Sequence, residues 1–211
     1  MFPEFFEHIP EPLLPLFEGA DHPWEALDRF NKLFASIQKQ GPSNLHPTVV
    51  VEGDVVIGEG TVIEPGVVIK GPTIIGKHCQ IRAGAYIRGH VWAGDRCVIG
   101  HTTELVRSIL FDDVRVDHFN YVGDSILGNG VHFGAGAKVA NLRFDGHTIM
   151  VDGESTDRTK FGAILGDQCQ LGVNTMIGPG VLFEKHCWWL GQRVVPSGTY
   201  SRDRLKMLLD K

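Results

Sequence analysis

His118 is the residue of this 211-residue chain whose surroundings most invite a chemical reading. It stands in the run Asp117-His118-Phe119-Asn120-Tyr121-Val122-Gly123-Asp124-Ser125, followed by Gly134-Ala135-Gly136-Ala137-Lys138-Val139-Ala140-Asn141-Leu142-Arg143. Imidazole is the side chain whose ordinary pKa lets it take up a proton near neutrality, so a histidine in a polar run is a candidate general base. A base of this kind would serve an acyl transfer to an amine, for instance, where the attacking nitrogen must be neutral and must lose a proton as the tetrahedral intermediate forms. The developing oxyanion needs a fixed donor, and a main-chain N–H beside Gly134 to Gly136 offers one. Such a transfer needs no acyl-enzyme, hence no nucleophilic Ser or Cys. Each residue also has a plain structural reading. His118 is one of 10 histidines and fits a solvated corner, Tyr121 fits packing between subunits, Asn141 fits an Asx-turn, and Arg82 and Lys160 fit surface charges.

The element that must position these residues is a repeat of period six. From Val55 the chain reads VVIGEG TVIEPG VVIKGP TIIGKH CQIRAG AYIRGH VWAGDR CVIGHT TELVRS, with an apolar third place at Ile57, Ile63, Ile69, Ile75, Ile81, Ile87, Ala93, Ile99 and Leu105. Five-residue steps into Leu110 and Leu127 carry the pattern on through Val116, Val122, Phe133 and Val139, and it returns from Leu165 to Val195 with the bulkier Phe183 and Trp189 in phase. Period six is neither a helical face nor a strand alternation; it is the period of a triangular solenoid with three short strands per coil. Gly58, Gly76, Gly100 and Gly134 each follow an inward residue, as tight corners require. The fold class expected is all-β, a parallel β-helix of roughly seven coils with short N- and C-terminal helices.

The expected organisation has three parts. Residues 1–45 form an extension with a short amphipathic helix opened by Asp21-His22-Pro23-Trp24, in which Trp24, Leu27, Phe30, Phe34 and Ile37 recur at helical spacing. That helix either caps the open first coil or packs on a flank. Residues 46–199 form the β-helix, interrupted at 141–161 by a polar, Gly-containing excursion loop, the kind of segment in which function tends to sit. Residues 200–211 form a second short helix.

Composition limits the partners. A net charge of -5 offers no broad attraction to nucleic acid or anionic lipid, which favours a small molecule or a protein. Prolines at 3, 10, 12 and 15 interrupt an N-terminus without a basic start or an apolar run, so neither a signal peptide nor a membrane span is expected, and a cytoplasmic location follows by default. Cys79, Cys97, Cys169 and Cys187 form no C-x-x-C pair and each precedes an inward position by two residues, so they are expected as small buried residues with no metal role.

The His118 run, the Gly134-Ala135-Gly136 turn and Asn141 resemble the acetyltransferase half of the bifunctional glucosamine-1-phosphate acetyltransferase/N-acetylglucosamine-1-phosphate uridylyltransferase family. The resemblance is closer to its archaeal sugar-1-phosphate nucleotidylyltransferase/acetyltransferase relatives, and it spans roughly residues 75–200. It implies a left-handed β-helix that assembles as a homotrimer and transfers the acetyl group of acetyl-CoA to an amino-sugar phosphate, glucosamine-1-phosphate above all. Residue by residue it implies His118 as general base, with Glu104 as a carboxylate near it. Tyr121, His132 and Asn141 would face the sugar, and Arg82 and Lys160 the phosphate end. Ala135, Val173 and Gly191 would line the acetyl-CoA path. The chain departs from the bacterial pattern at Val106, which replaces a Lys, at His132, which replaces an Asn, at Leu142, which replaces an aromatic, and in a longer loop over 145–160. No G-x-G-T-R phosphate loop occurs in the sequence, so no nucleotidyltransferase half is expected in this chain.

Two other functions compete. A non-catalytic hexapeptide scaffold, or a module that binds a sugar nucleotide, accords with Val106 and His132. A zinc hydrolyase of the β-helical carbonic anhydrase type requires a His-x-x-x-x-His pair, which neither His90 with His101 nor His118 with His132 supplies.

Overall fold

The computed structural model describes residues 2–35, 40–42 and 44–203. Three parallel sheets run the length of the molecule as the faces of a triangular left-handed β-helix. Face 1 has eight strands from Val55–Ile57 to Gly198–Tyr200, face 2 has seven from Val62–Ile63 to Trp188–Trp189, and face 3 has eight from Val50–Glu52 to Val194–Val195. The third-place residues stack on one another inside. On face 2, for example, Ile81 lies over Ile63 and is followed by Ile99, Val116, Phe133, Leu171 and Trp189. They belong to one buried core with the inward residues of the other faces. At about 25 cal/mol per Å² of apolar surface removed from water, this column is the main favourable term in the fold.

The helix has about eight coils where the sequence count expects about seven. The difference lies at the start. Val51 pairs with Ile69, and Gln40 bridges Val56, so backbone pairing begins before the first hexad that a side-chain pattern shows. The two five-residue steps do not disturb register: Leu110 pairs with Ala93 and Leu127 with Leu110. Each missing residue is taken out of a corner, where Arg107 and Asp124 adopt left-handed backbone with φ of 43° and 49°. At the far end Tyr200 packs edge to face with both Phe183 and Trp189, which are tilted against each other, with centroids 5.4 to 6.0 Å apart; the three plug the core, which accounts for the two bulky residues in the repeat. The four cysteines are buried as expected, and the Sγ of Cys79, Cys97 and Cys169 each donates to a carbonyl oxygen 3.1 Å away.

The N-terminal extension lies on a flank and is not a cap. It forms short turns of helix at Glu11–Leu13, Leu14–Phe17, Pro23–Glu25, Ala26–Arg29 and Phe30–Phe34. Phe6, Leu13, Phe17, Trp24 and Phe30 bury against the outward side of face 1 at Ile109, Ile126, Ile164 and Leu182. That column is apolar on its outward as well as its inward side, so it needs a cover. Ile37 and the part of the expected C-terminal helix beyond Asp203 lie outside the described residues.

Candidate active site

The corner between faces 2 and 3 repeats the same turn in successive coils. Thr102, Phe119, Gly136, Asn174 and Gln192 all have positive φ. Each donates its N–H to the carbonyl one coil below and one residue earlier in the turn: Ala83, His101, His118, Ala135 and Val173 in that order, at 2.8 to 3.3 Å. Ala83, His101, His118, Ala135, Val173 and Gly191 therefore form a single column along this edge. His118 and the three residues that the resemblance assigns to acetyl-CoA thus line up one above another, about 4.8 Å apart per coil. The N–H groups of Ala135, Val173 and Gly191 find no acceptor among the described residues.

His118 ends the strand Arg115–His118 and is exposed. Its ring has no hydrogen-bond partner among the described residues, and its backbone is fixed from beneath. The buried Asn120 accepts the His118 N–H at 3.0 Å and donates to the carbonyls of Gly134 and Ala137 at 3.0 and 3.1 Å, tying the histidine turn to the Gly134-Ala135-Gly136 turn. His101 is its register partner one coil below, with Nδ1 held 2.7 Å from the Ala83 carbonyl and Phe119 edge-on to its ring.

Face 3 carries a polar cluster beside this column. Tyr121 pairs in register with Glu104, and Glu104 accepts a 2.6 Å hydrogen bond from Arg88. Glu104 is therefore held by Arg88 and not by His118. At the next corner the carboxylate of Asp124, only 1% exposed, receives Arg107 through Nε and Nη2 at 2.6 and 2.8 Å and Asn141 Nδ2 at 2.5 Å. Burial, and then the charges of Glu104 and Asp124, push the Tyr121 phenol above its usual range, while Arg88 and a hydrogen bond with Asn141 oppose this. Gly123 lies beneath the pair, where a Cβ would approach Tyr121 Oη and Asn141 Nδ2 to 2.7 Å. Of this network the sequence reading placed Glu104, Tyr121 and Asn141 but not Arg88 or the Arg107–Asp124 pair. The signal for the pair was its 17-residue spacing, one coil containing a five-residue step.

Face 2 holds a second cluster on the other side of His118. Asp117 is nearly buried, with Arg115 Nη2 at 3.1 Å, His132 Nε2 at 3.7 Å and Arg82 Nη1 at 3.9 Å from its oxygens. Arg82 and His132, read separately from the sequence, are thus brought together by a carboxylate that the sequence reading did not single out. Lys160 stands apart from both clusters, at the base of the excursion loop, where it bridges Leu142. Phe161 N donates to the Asn141 carbonyl at 3.0 Å and closes the same base.

Comparison with known proteins agrees with this architecture. A family model described as GMPPB C-terminal domain matches residues 69–161. The bifunctional protein GlmU of Methanocaldococcus jannaschii is 36% identical over 192 residues, 87% of this chain and 47% of that protein. GlmU of Methanococcus maripaludis strain C7 is 49% identical over 163 residues, 76% of this chain and 40% of its own length. The bifunctional sugar-1-phosphate nucleotidylyltransferase/acetyltransferase of Sulfurisphaera tokodaii is 34% identical over 187 residues, 86% of this chain and 45% of its own. The chain spans a little under half the length of these relatives. Fold, motif and sequence together identify it as a hexapeptide-repeat β-helix related to the C-terminal, acetyltransferase part of the archaeal GlmU-type proteins.

Proposed function

We propose that the chain transfers the acetyl group of acetyl-CoA to the nitrogen of an amino-sugar phosphate, with glucosamine-1-phosphate as the preferred acceptor. The observation that carries this reading is the corner column, in which the exposed His118 stands directly below Ala135, Val173 and Gly191. Those three positions have small or moderate side chains and N–H groups that meet no acceptor among the described residues, a surface suited to an extended chain rich in amide carbonyls. Acetyl-CoA supplies the activated thioester when bound there. His118 takes the proton from the acceptor amine, and the Ala135 N–H faces the acyl oxygen. Tyr121 and Asn141 orient the sugar from face 3 and His132 from face 2, Arg82 supplies positive charge for the phosphate, and Lys160, at the base of the excursion loop, reaches that phosphate from a neighbouring copy. The two clusters lie on different faces, so the groove between them is completed by a neighbouring copy in a homotrimer.

The test is thiol release from acetyl-CoA in the presence of glucosamine-1-phosphate, galactosamine-1-phosphate and free glucosamine. His118→Ala is expected to lower turnover by about 10²-fold or more with the assembly unchanged. Near-full turnover in that variant moves the base elsewhere. Val106 and His132, where the chain departs from the bacterial pattern, favour a second reading, a non-catalytic module that binds a sugar nucleotide. Absence of thiol release with every acceptor, alongside saturable binding of a nucleotide sugar, would decide for it.

A further inference from the structure

The excursion loop is held partly by the end of the β-helix, where Ser197 Oγ donates to the Met150 carbonyl at 2.6 Å and the Thr199 N–H to Asp152 at 2.9 Å, and partly from outside it. It leaves face 3 after the strand Lys138–Val139, forms a small antiparallel hairpin of Met150–Val151 with Glu154–Ser155, and re-enters face 1 at Ala163–Leu165. Its own base is closed by the Leu142–Lys160 bridge and the bond from Phe161 to Asn141, and further out the Ile149 N–H donates to the Arg158 carbonyl at 2.9 Å. The rest of its support comes from other parts of the chain. Ile149, Val151 and Phe161 are buried in the same cluster as Trp24, Leu27 and Phe30 of the N-terminal extension, and the Trp24 and Phe161 rings lie 6.0 Å apart. His22 stacks flat on Trp24 at 4.3 Å and reaches Glu154 at 3.7 Å.

One of these contacts leads back to the candidate site. Arg158, whose side chain is 17% exposed, forms an ion pair through Nη1 with Asp28 of the extension. Its Nε donates to the main-chain carbonyl of Lys160 at 3.2 Å. A planar guanidinium has its donors in a fixed fork, so anchoring one arm on Asp28 sets the direction of the other. The backbone of Lys160, and through the closed base that of Asn141, is thereby tied to a residue more than 100 positions earlier in the sequence.

We propose that the N-terminal extension is a clamp for the substrate loop, and that Asp28 and Arg158 are positioning residues for Lys160 and Asn141. The part of this inference that concerns substrate rests on the proposed function. The acetyl-CoA column lies at the corner between faces 2 and 3, whereas the loop springs from the corner between faces 3 and 1. The clamp therefore acts on the acceptor sugar phosphate and leaves the acyl donor alone.

Two readouts in the full chain separate the clamp from the reaction. Asp28→Asn and Arg158→Met are expected to raise KM for glucosamine-1-phosphate by a factor of about three to five, with KM for acetyl-CoA unchanged, in proportion to what a partly exposed ion pair contributes. Asp28→Glu, which keeps a carboxylate for Arg158 and leaves its Nε free to donate to the Lys160 carbonyl, should retain most of what Asp28→Asn loses, which general destabilisation would not. Independently of any activity, hydrogen exchange at the Phe161 amide should quicken by a similar factor in the single variants, while that of the Gly136 amide in the corner column stays the same. Faster exchange without turnover in the wild type would retain the clamp and overturn the proposed reaction. Unchanged exchange at Phe161, or an equal rise in both KM values, would overturn the clamp.

Discussion

Asp124, Tyr121 and Asn141 form a compact arrangement in which a carboxylate is almost wholly removed from water and satisfied by Arg107 and an amide. Leaving such a carboxylate without its partners would be costly, so the pair fixes the corner at which the loop begins. The Tyr121 phenol beside it is raised by burial first and by Glu104 and Asp124 next. A phenol whose folded pKa is raised contributes stability that is fully present below the ordinary tyrosine range, about 10, and is lost as pH rises through the folded value. The wild type should thus lose stability above that range more steeply than Tyr121→Phe does. Ultraviolet titration of the wild type minus the variant should show one phenolate appearing later than in a model peptide; appearance at or before the ordinary range would refute the burial argument. At this scale the sequence singles out His118, Tyr121 and Asn141 through the motif that contains them and sets their spacing by the hexad count. It did not show Asp117 gathering Arg82, Arg115 and His132, since that depends on side chains from several coils meeting on an outer face.

A solenoid element is fixed by local backbone fit, and the glycines after inward residues test this directly. A Cβ built on Gly100 would collide with the backbone of Asp117, the residue before His118 in the coil above. Gly146, in a turn of the excursion loop closed by its N–H to the Arg143 carbonyl and with φ 69°, has nothing within 4 Å of the position its Cβ would take. Gly100→Ala should therefore cost about 1 to 3 kcal/mol or more through displaced backbone and disturb the His118 edge. Gly146→Ala should cost only the left-handed conformational term, about 1 to 2 kcal/mol. Thermal melts with thiol release as a second signal distinguish them: Gly100→Ala should lose activity at temperatures where it is still folded, and equal effects on both signals in the two variants would contradict this. The same locality explains what could be read from sequence at the level of elements. A fixed period survives two five-residue steps because each is absorbed in a corner, so core, faces and loop were all visible. The first coil was not, because it rests on pairing by Val51 and Gln40 without the hexad pattern. Nor could spacing decide between a cap and a flank for residues 21–34, since that depends on face 1 being apolar outside, a property of Ile109, Ile126 and Ile164 taken together.

Across the whole molecule the three faces have different surroundings. Face 1 is covered by the chain's own extension, which leaves faces 2 and 3 to meet other molecules. The last coils expose large apolar side chains on both of these faces, Trp188 at 67% on face 2, Leu190 at 58% after it and Val194 at 68% on face 3, and Val194 shares a groove with Met176 and the loop residue Phe144. Exposed apolar side chains gathered on the last coils mark an interface, and they stand at the Gly191 end of the column that a neighbouring copy would have to complete. Sedimentation velocity should therefore give a species of three times the 23.3 kDa chain mass. Replacing Val194 and Trp188 together by Glu places charges in that surface and should shift the population toward monomer, because a buried unpaired carboxylate is strongly unfavourable at an interface core. In the monomer His118 and Asn120 keep their intrachain supports, so far-ultraviolet circular dichroism should be unchanged while thiol release falls. A wild type that sediments as a stable monomer and still turns over would mean that one chain alone holds a complete site, and the two clusters flanking His118 would then have to serve the acceptor from opposite sides of a single corner.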